Sequence, residues 1–286
     1  MSSKYAEKCD LKHNKKDKWS TSVFQSSPII RQLAPLTQFF THFTSWPEIA
    51  DYKRVFKQHL ISVTPVHQSE KITGFEDQYE PRVYLKKELQ TRTHNWHDFF
   101  NAMIWLRFQK TKKTLNQLHY LKSNKRAKGS NRTKLESKIT QFDECGAILI
   151  SKNAHLLNLV KNHQWAALFI DNATHFEKDF HCIIFGHAIY EKALRPYTGL
   201  TCHCLMIEDE HILEDVKNDS YNMLDKYLSK IWRQQETLEN IKFQPFPLLG
   251  IPGYWPVQDS KFYQNKNYFR PAPQQNKKRT KSNSSN

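Results

Sequence analysis

The chain has 286 residues, 38% hydrophobic and 13% aromatic, enough apolar side chain to build a substantial core without help from a metal or disulfides. That composition excludes a disordered polyelectrolyte, and the formal net charge of +15 favours contact with polyanions such as nucleic acid. Five cysteines in no secreted spacing pattern, no apolar leader and no apolar run near the ~20 residues of a membrane span predict a soluble cytoplasmic protein without membrane contact.

Residues 1–20 read as a polar arm, and a single globular domain is expected over residues 21–271. In "SSPIIRQLAPLTQFFTHF", Ile29, Ile30, Leu33, Leu36 and Phe40 recur at near-helical spacing, while Pro28 and Pro35 cut the run into short pieces. "PEIADYKRVFKQHL" predicts a short helix, and "YEPRVYLKKEL" has the length and Tyr/Val content of a strand. A long helix is expected from Asn95 to Leu121, with Trp96, Phe99, Phe100, Met103 and Ile104 forming an apolar stripe. A basic insertion at about 122–138 reads as an exposed loop or helix end. No internal repeat is visible.

From Phe142 the pattern shortens. "GAILI", "FHCIIF" and "LTCHCLMI" read as strands, and "AHLLNLVKNHQWAALF", "HAIYEKAL" and "SYNMLDKYLSKIW" as helices. The Pro/aromatic segment "FPLLGIPGYWPVQDSKFYQNKNYFRP" is too irregular for a regular element. It is expected to wrap the domain and bury its aromatics rather than offer bases a stacking platform. Residues 272–286 form a basic disordered tail. Helices with a small mixed sheet predict an α+β fold, with α/β as the alternative.

Several of these segments resemble a bacterial family known as domain of unknown function 3025. The resembling pieces are "NWHDFFNAMIWLRF" with "KTLNQLH", "FDECGAI", "FGHAIYEKALRPYTGLTCH", and "PLLGIPGYWP" with "FYQNKNYFRP"; "YEPRV" matches more weakly. They span roughly residues 79 to 271 in the family's order. The resemblance implies no activity. The basic insertion and the tail after Pro271 resemble nothing in the family pattern, and Cys202 and Cys204 flank the motif's His203 without belonging to it.

Candidate chemistry falls inside the resembling segments. His97 and Asn101, four apart, share a helical flank away from the main apolar stripe. Asn95 suits the N-cap of that helix, and Asp98 the third helical position, where its carboxylate bonds back to the cap. His187 and Glu191 are also spaced i, i+4, a pair that a divalent metal can use; Glu191 and Arg195 at the same spacing make an ordinary ion pair. Asp143 and Glu144 read as a polar turn before a strand, or as carboxylates for a divalent cation. His203 alternates with Cys202 and Cys204, which as an isolated pair make a poor zinc site.

Walker-type phosphate loops, G-x-G-x-x-G, G-x-S-x-G and H-E-x-x-H are all absent, which argues against P-loop nucleotide hydrolysis and a serine-hydrolase elbow. The leading expectation is a hydrolase of phosphate or acyl esters, with His97, Asn101, Asp143 and His203 as catalytic candidates and His187 with Glu191 as metal ligands. A nucleic-acid-binding module using the basic loop and tail is the alternative, and a non-catalytic structural or partner-binding protein is the third reading. The mutual distances of these side chains decide between them.

Overall fold

The computed structural model describes residues 18–68, 73–125, 130–234 and 242–273. Most of the polar N-terminal arm, the centre of the basic insertion and nearly all of the basic tail lie outside the described residues.

Short helical turns open the fold. They are followed by α1 (Ile49–Gln58), β1 (Thr64–His67), α2 (Tyr79–Lys86) and β2 (Glu88–Thr91). Three consecutive helices come next: α3 (Trp96–Arg107), α4 (Gln109–Ser123) and α5 (Lys134–Cys145). β3 (Gly146–Ser151), α6 (Ala154–Lys161), α7 (Ala173–Asp179), β4 (Phe180–Ile184), α8 (His187–Lys192) and β5 (Thr201–Glu208) form the middle of the chain. α9 (Glu210–Lys217), α10 (Asn222–Arg233), β6 (Gln244–Pro247) and the short α11 (Ser260–Tyr263) complete the described elements.

β1 and β2 pair in parallel, and the larger sheet runs β4-β3-β5-β6. β3 is parallel to β5 and antiparallel to β4, so the sheet is mixed and the α+β expectation holds. Every residue of β3 is buried, as expected for a strand flanked by neighbours on both edges and packed on both faces. Among the described residues no helix is long and apolar enough to cross a membrane.

α3 runs through the core. Every residue from Phe99 to Arg107 is buried, so the helix is enclosed around most of its circumference, not along one stripe. Asn95 caps it, its Oδ1 accepting from the Asp98 backbone N–H at 3.0 Å. The Asp98 carboxylate does not return to the cap. It accepts from the Arg92 backbone N–H at 2.7 Å and from Arg92 Nε and Nη2 at 3.0 and 2.8 Å.

Three local expectations are corrected. "YEPRVYLK" is helical, because Pro81 lies in the first turn, where its missing N–H leaves no intrahelical bond unmade. Lys87, at φ 57°, ends that helix and β2 begins after it. The long helix breaks at Phe108, and Asp225 of α10 captures the freed amides: Lys110 N–H and Thr111 N–H donate to its two oxygens at 2.9 and 2.8 Å. That anion at the start of α4 satisfies orphan donors and favours the positive helix end. "FDEC" is not a turn; Asp143 and Glu144 form the last turn of α5, which runs directly into β3.

The C-terminal segment wraps the core as expected. Tyr268 and Phe269 are buried, and the Tyr268 hydroxyl donates to Leu200 O while accepting from Leu249 N–H, both at 2.8 Å.

Candidate functional site

Gly186 sets the geometry of the site. A Cβ there would lie 2.4 Å from Glu144 O and 2.6 Å from Cys145 N, both backbone atoms. The amides of Phe185 and Gly186 both donate to Gly146 O, at 3.0 and 2.8 Å. Only glycine permits this approach, which sets the start of α8 against the end of α5. His187, the first residue of α8, is thereby delivered to Asp143 and Glu144.

α3 contributes the opposite wall. His97 and His187 meet edge to face, their Nε2 atoms 2.9 Å apart. The other ring nitrogen of His97, Nδ1, lies 2.8 Å from Glu191 Oε2, so it carries a proton and donates to the carboxylate. His187 Nδ1 is buried without a hydrogen-bond partner among the described residues and faces Asp143 Oδ2 at 3.9 Å. Glu144 Oε2 lies 3.7 Å from His187 Nε2. Ligating atoms of His97, His187 and Glu144 all fall within 4.8 Å of one another.

A third layer anchors Asp143. The buried Lys112 ammonium donates to Asp143 Oδ1 at 2.5 Å and to Asn101 Oδ1 at 2.9 Å, and Asn101 Nδ2 donates to Tyr79 Oη at 2.8 Å. Tyr79, Asn101 and Asp143, with His97, Glu144 and His187, line a cleft of about 310 Å³, together with Glu80, Gln90, Arg92, Asp98 and Thr140; Lys112 lies beneath it. The size is that of a small-molecule site.

The protonation states are pulled apart. Burial pushes His187 down to about 3, opposed only in part by Asp143, so its ring is neutral. Burial also acts to lower His97, but the Glu191 bond and the Glu144 charge outweigh it and hold the ring above its ordinary value. Burial raises Glu144, with His97 opposing. Burial acts to raise Asp143, but the Lys112 ammonium bonded to it overcomes that cost and holds the carboxyl below its usual range.

A divalent cation fits the donor set. With metal–nitrogen bonds of about 2.0–2.1 Å, two nitrogens 2.9 Å apart subtend about 90° at the ion. A hydrogen bond across that gap requires a proton on one of the two Nε2 atoms, and an ion would take that proton's place. Glu144 has a side chain 40% exposed, free to swing inward and close the third bond. Glu191 behind His97 is the carboxylate–histidine pairing that orients metal-ligating imidazoles.

The structure thus brings together His97, Asn101, Asp143, His187 and Glu191 at one corner. It places Glu191 behind His97 at the Nδ1 side, and Glu144 on the Nε2 side. His203 stands elsewhere, on β5, with its Nε2 3.0 Å from Gln141 Nε2, and is not among the described residues lining the cleft. Sequence reasoning left out Lys112, Tyr79 and Arg92. Asp143 and Glu144 did carry a signal: two acids in a helix's last turn with no basic residue beside them oppose the macrodipole.

A family model described as "Protein of unknown function (DUF3025)" matches residues 63–273. No curated protein and no solved structure matches the chain.

Proposed function

The chain belongs to the DUF3025 family, whose description assigns no activity, and from its site we propose a divalent-metal-dependent hydrolase acting on phosphate or acyl esters. The observation that carries this reading is the pair of imidazole Nε2 atoms at 2.9 Å, with a carboxylate behind each ring and Glu144 beside them. Two His and one carboxylate are a donor set of catalytic metal sites, which keep a coordination position open. When bound, the ion acts as a Lewis acid on the substrate oxygen and makes water nucleophilic near neutral pH.

The residues divide the work. His97, His187 and Glu144 hold the ion. Glu191 keeps the His97 Nδ1 proton, which fixes the tautomer and leaves Nε2 free to ligate. Asp143, pinned by Lys112, faces the His187 Nδ1 side and favours the tautomer with its lone pair on Nε2. Burial keeps His187 neutral, the form that binds metals. The free thiols of Cys145, Cys182, Cys202 and Cys204 suit a reducing, cytoplasmic setting.

Metal titration of the purified chain by calorimetry, with Zn²⁺ and Mn²⁺, tests the reading alongside hydrolysis of p-nitrophenyl phosphate and p-nitrophenyl acetate. One ion per chain and hydrolysis that is lost in His187→Ala and Glu144→Ala are expected. No saturable metal binding and no hydrolysis by the wild type would refute it.

A further inference from the structure

The chain of polar groups under the cleft has a forced direction. Lys112 is buried, and its ammonium has three donors and no acceptor. The atom of Asn101 that meets it at 2.9 Å must therefore be the amide oxygen. The Asn101 nitrogen is left to face Tyr79 Oη, and it donates there at 2.8 Å. The phenol oxygen is thus used as an acceptor on the Asn101 side, so its own proton points away from Asn101. Among the described residues none accepts that proton.

Tyr79 lines the same cleft as His97, Glu144 and His187, and its α2 position faces the α3 flank that carries Asn101 one turn from His97. Burial, with the charges of Glu80 and Asp143, raises the phenol's pKa, so the hydroxyl keeps its proton. Donors aligned head to tail polarise one another, which makes the last hydroxyl in such a chain a stronger donor.

Building on the hydrolase reading, we propose that Tyr79 is a catalytic residue that donates its hydroxyl hydrogen bond to the substrate oxygen on which negative charge develops. The oxygen is that of a phosphoryl or acyl group. Asn101 and Lys112 are positioning residues that act through Tyr79. No proton needs to transfer: the hydroxyl shortens its hydrogen bond as the oxygen becomes anionic, a contribution made in the transition state and not in the ground state.

Tyr79→Phe tests this in the full-length, metal-loaded protein. Removing one such donor lowers kcat by roughly 10²–10³-fold with KM little changed. Metal stoichiometry is expected to stay at one ion per chain, and calorimetry should show inorganic phosphate, a mimic of the anionic oxygen, binding about tenfold more weakly. Asn101→Leu, checked for an unchanged thermal midpoint, should lose about tenfold in kcat, because the phenol is then free to rotate. Loss confined to p-nitrophenyl phosphate assigns a phosphoryl oxygen, and loss confined to p-nitrophenyl acetate an acyl oxygen. A Tyr79→Phe protein with wild-type kcat and phosphate affinity overturns the proposal while leaving the hydrolase reading intact. A wild type that binds no metal and hydrolyses neither ester overturns both.

Discussion

Glu191→Gln separates two metal sites built from the same residues. With Glu191 orienting His97 from 2.8 Å, the glutamine still offers an oxygen to the Nδ1 proton but removes the charge. Loss of such an orienting partner costs about 10–100-fold in metal affinity. At free metal 100 times the wild-type Kd, binding stabilises the wild type by about 2.7 kcal/mol. A tenfold weaker site retains about 1.4 kcal/mol and a hundredfold weaker one about 0.4 kcal/mol. Urea denaturation with Zn²⁺ and with chelator measures the difference directly. Glu144→Gln, which replaces a ligand in this arrangement, should lose nearly all of the metal-dependent stabilisation. The opposite ranking, with Glu144→Gln retaining it and Glu191→Gln abolishing it, would show that Glu191 ligates and that the orienting argument is wrong.

Other outcomes follow from the same contacts. Gly186→Ala puts a Cβ against the Glu144 carbonyl and the Cys145 amide, so it should lower stability by roughly 1–3 kcal/mol and weaken metal binding by displacing His187; wild-type metal affinity in that variant would contradict the close-approach argument. Asp225→Ala strips the start of α4 of its acceptor and should cost roughly 3 kcal/mol in urea denaturation, with metal affinity per folded chain unchanged. Burial lowers His97, but Glu191 and Glu144 outweigh it and raise its pKa above 6.5, so metal affinity is full above that raised value and falls as pH drops through it. The fall should approach tenfold per pH unit, one proton per ion, in competition titrations from pH 6 to pH 8; a flat profile would remove His97 from the ligand set.

Periodicity made α3 and α10 readable, because an apolar residue every three or four positions fixes a helix wherever it packs. It could not locate the break at Phe108. The determinant is Asp225, more than a hundred residues away in sequence, and the local run from Asn95 to Leu121 has no proline or glycine to announce it. "YEPRV" misled for the opposite reason: Tyr and Val favour strands, yet a proline near the front of a segment is equally at home in a helix's first turn. At the site, the i, i+4 spacings place His97 and Asn101 on α3 and His187 and Glu191 on α8, but the side chains bond across the helices: Glu191 meets His97, and Asn101 meets Lys112 and Tyr79. Which partner each side chain meets depends on how α3, α5 and α8 cross: the Gly186 contact sets α8 against α5, and Phe100 packed on Tyr190 sets α3 against α8, neither of which local spacing encodes. Lys112 gave no sequence signal at all, being one of 43 Lys and Arg residues.

The charges at this corner argue for a cation independently of ligand geometry. Asp98 has Arg92, Asp143 has Lys112, and Glu191 has His97. Glu144 faces His187, which burial keeps neutral, and is itself raised by burial. It also ends α5, where the helix dipole disfavours a negative charge. Its main opposing charge is the His97 ring, which Glu191 already engages, so the carboxylate binds a proton more readily than usual, and a divalent ion shared with the two imidazoles would remove that penalty. The same ion would satisfy both Nε2 atoms at once, whereas a single proton between them satisfies the pair only by taking one lone pair out of use. Ligand geometry and charge therefore favour the same occupant at the same point.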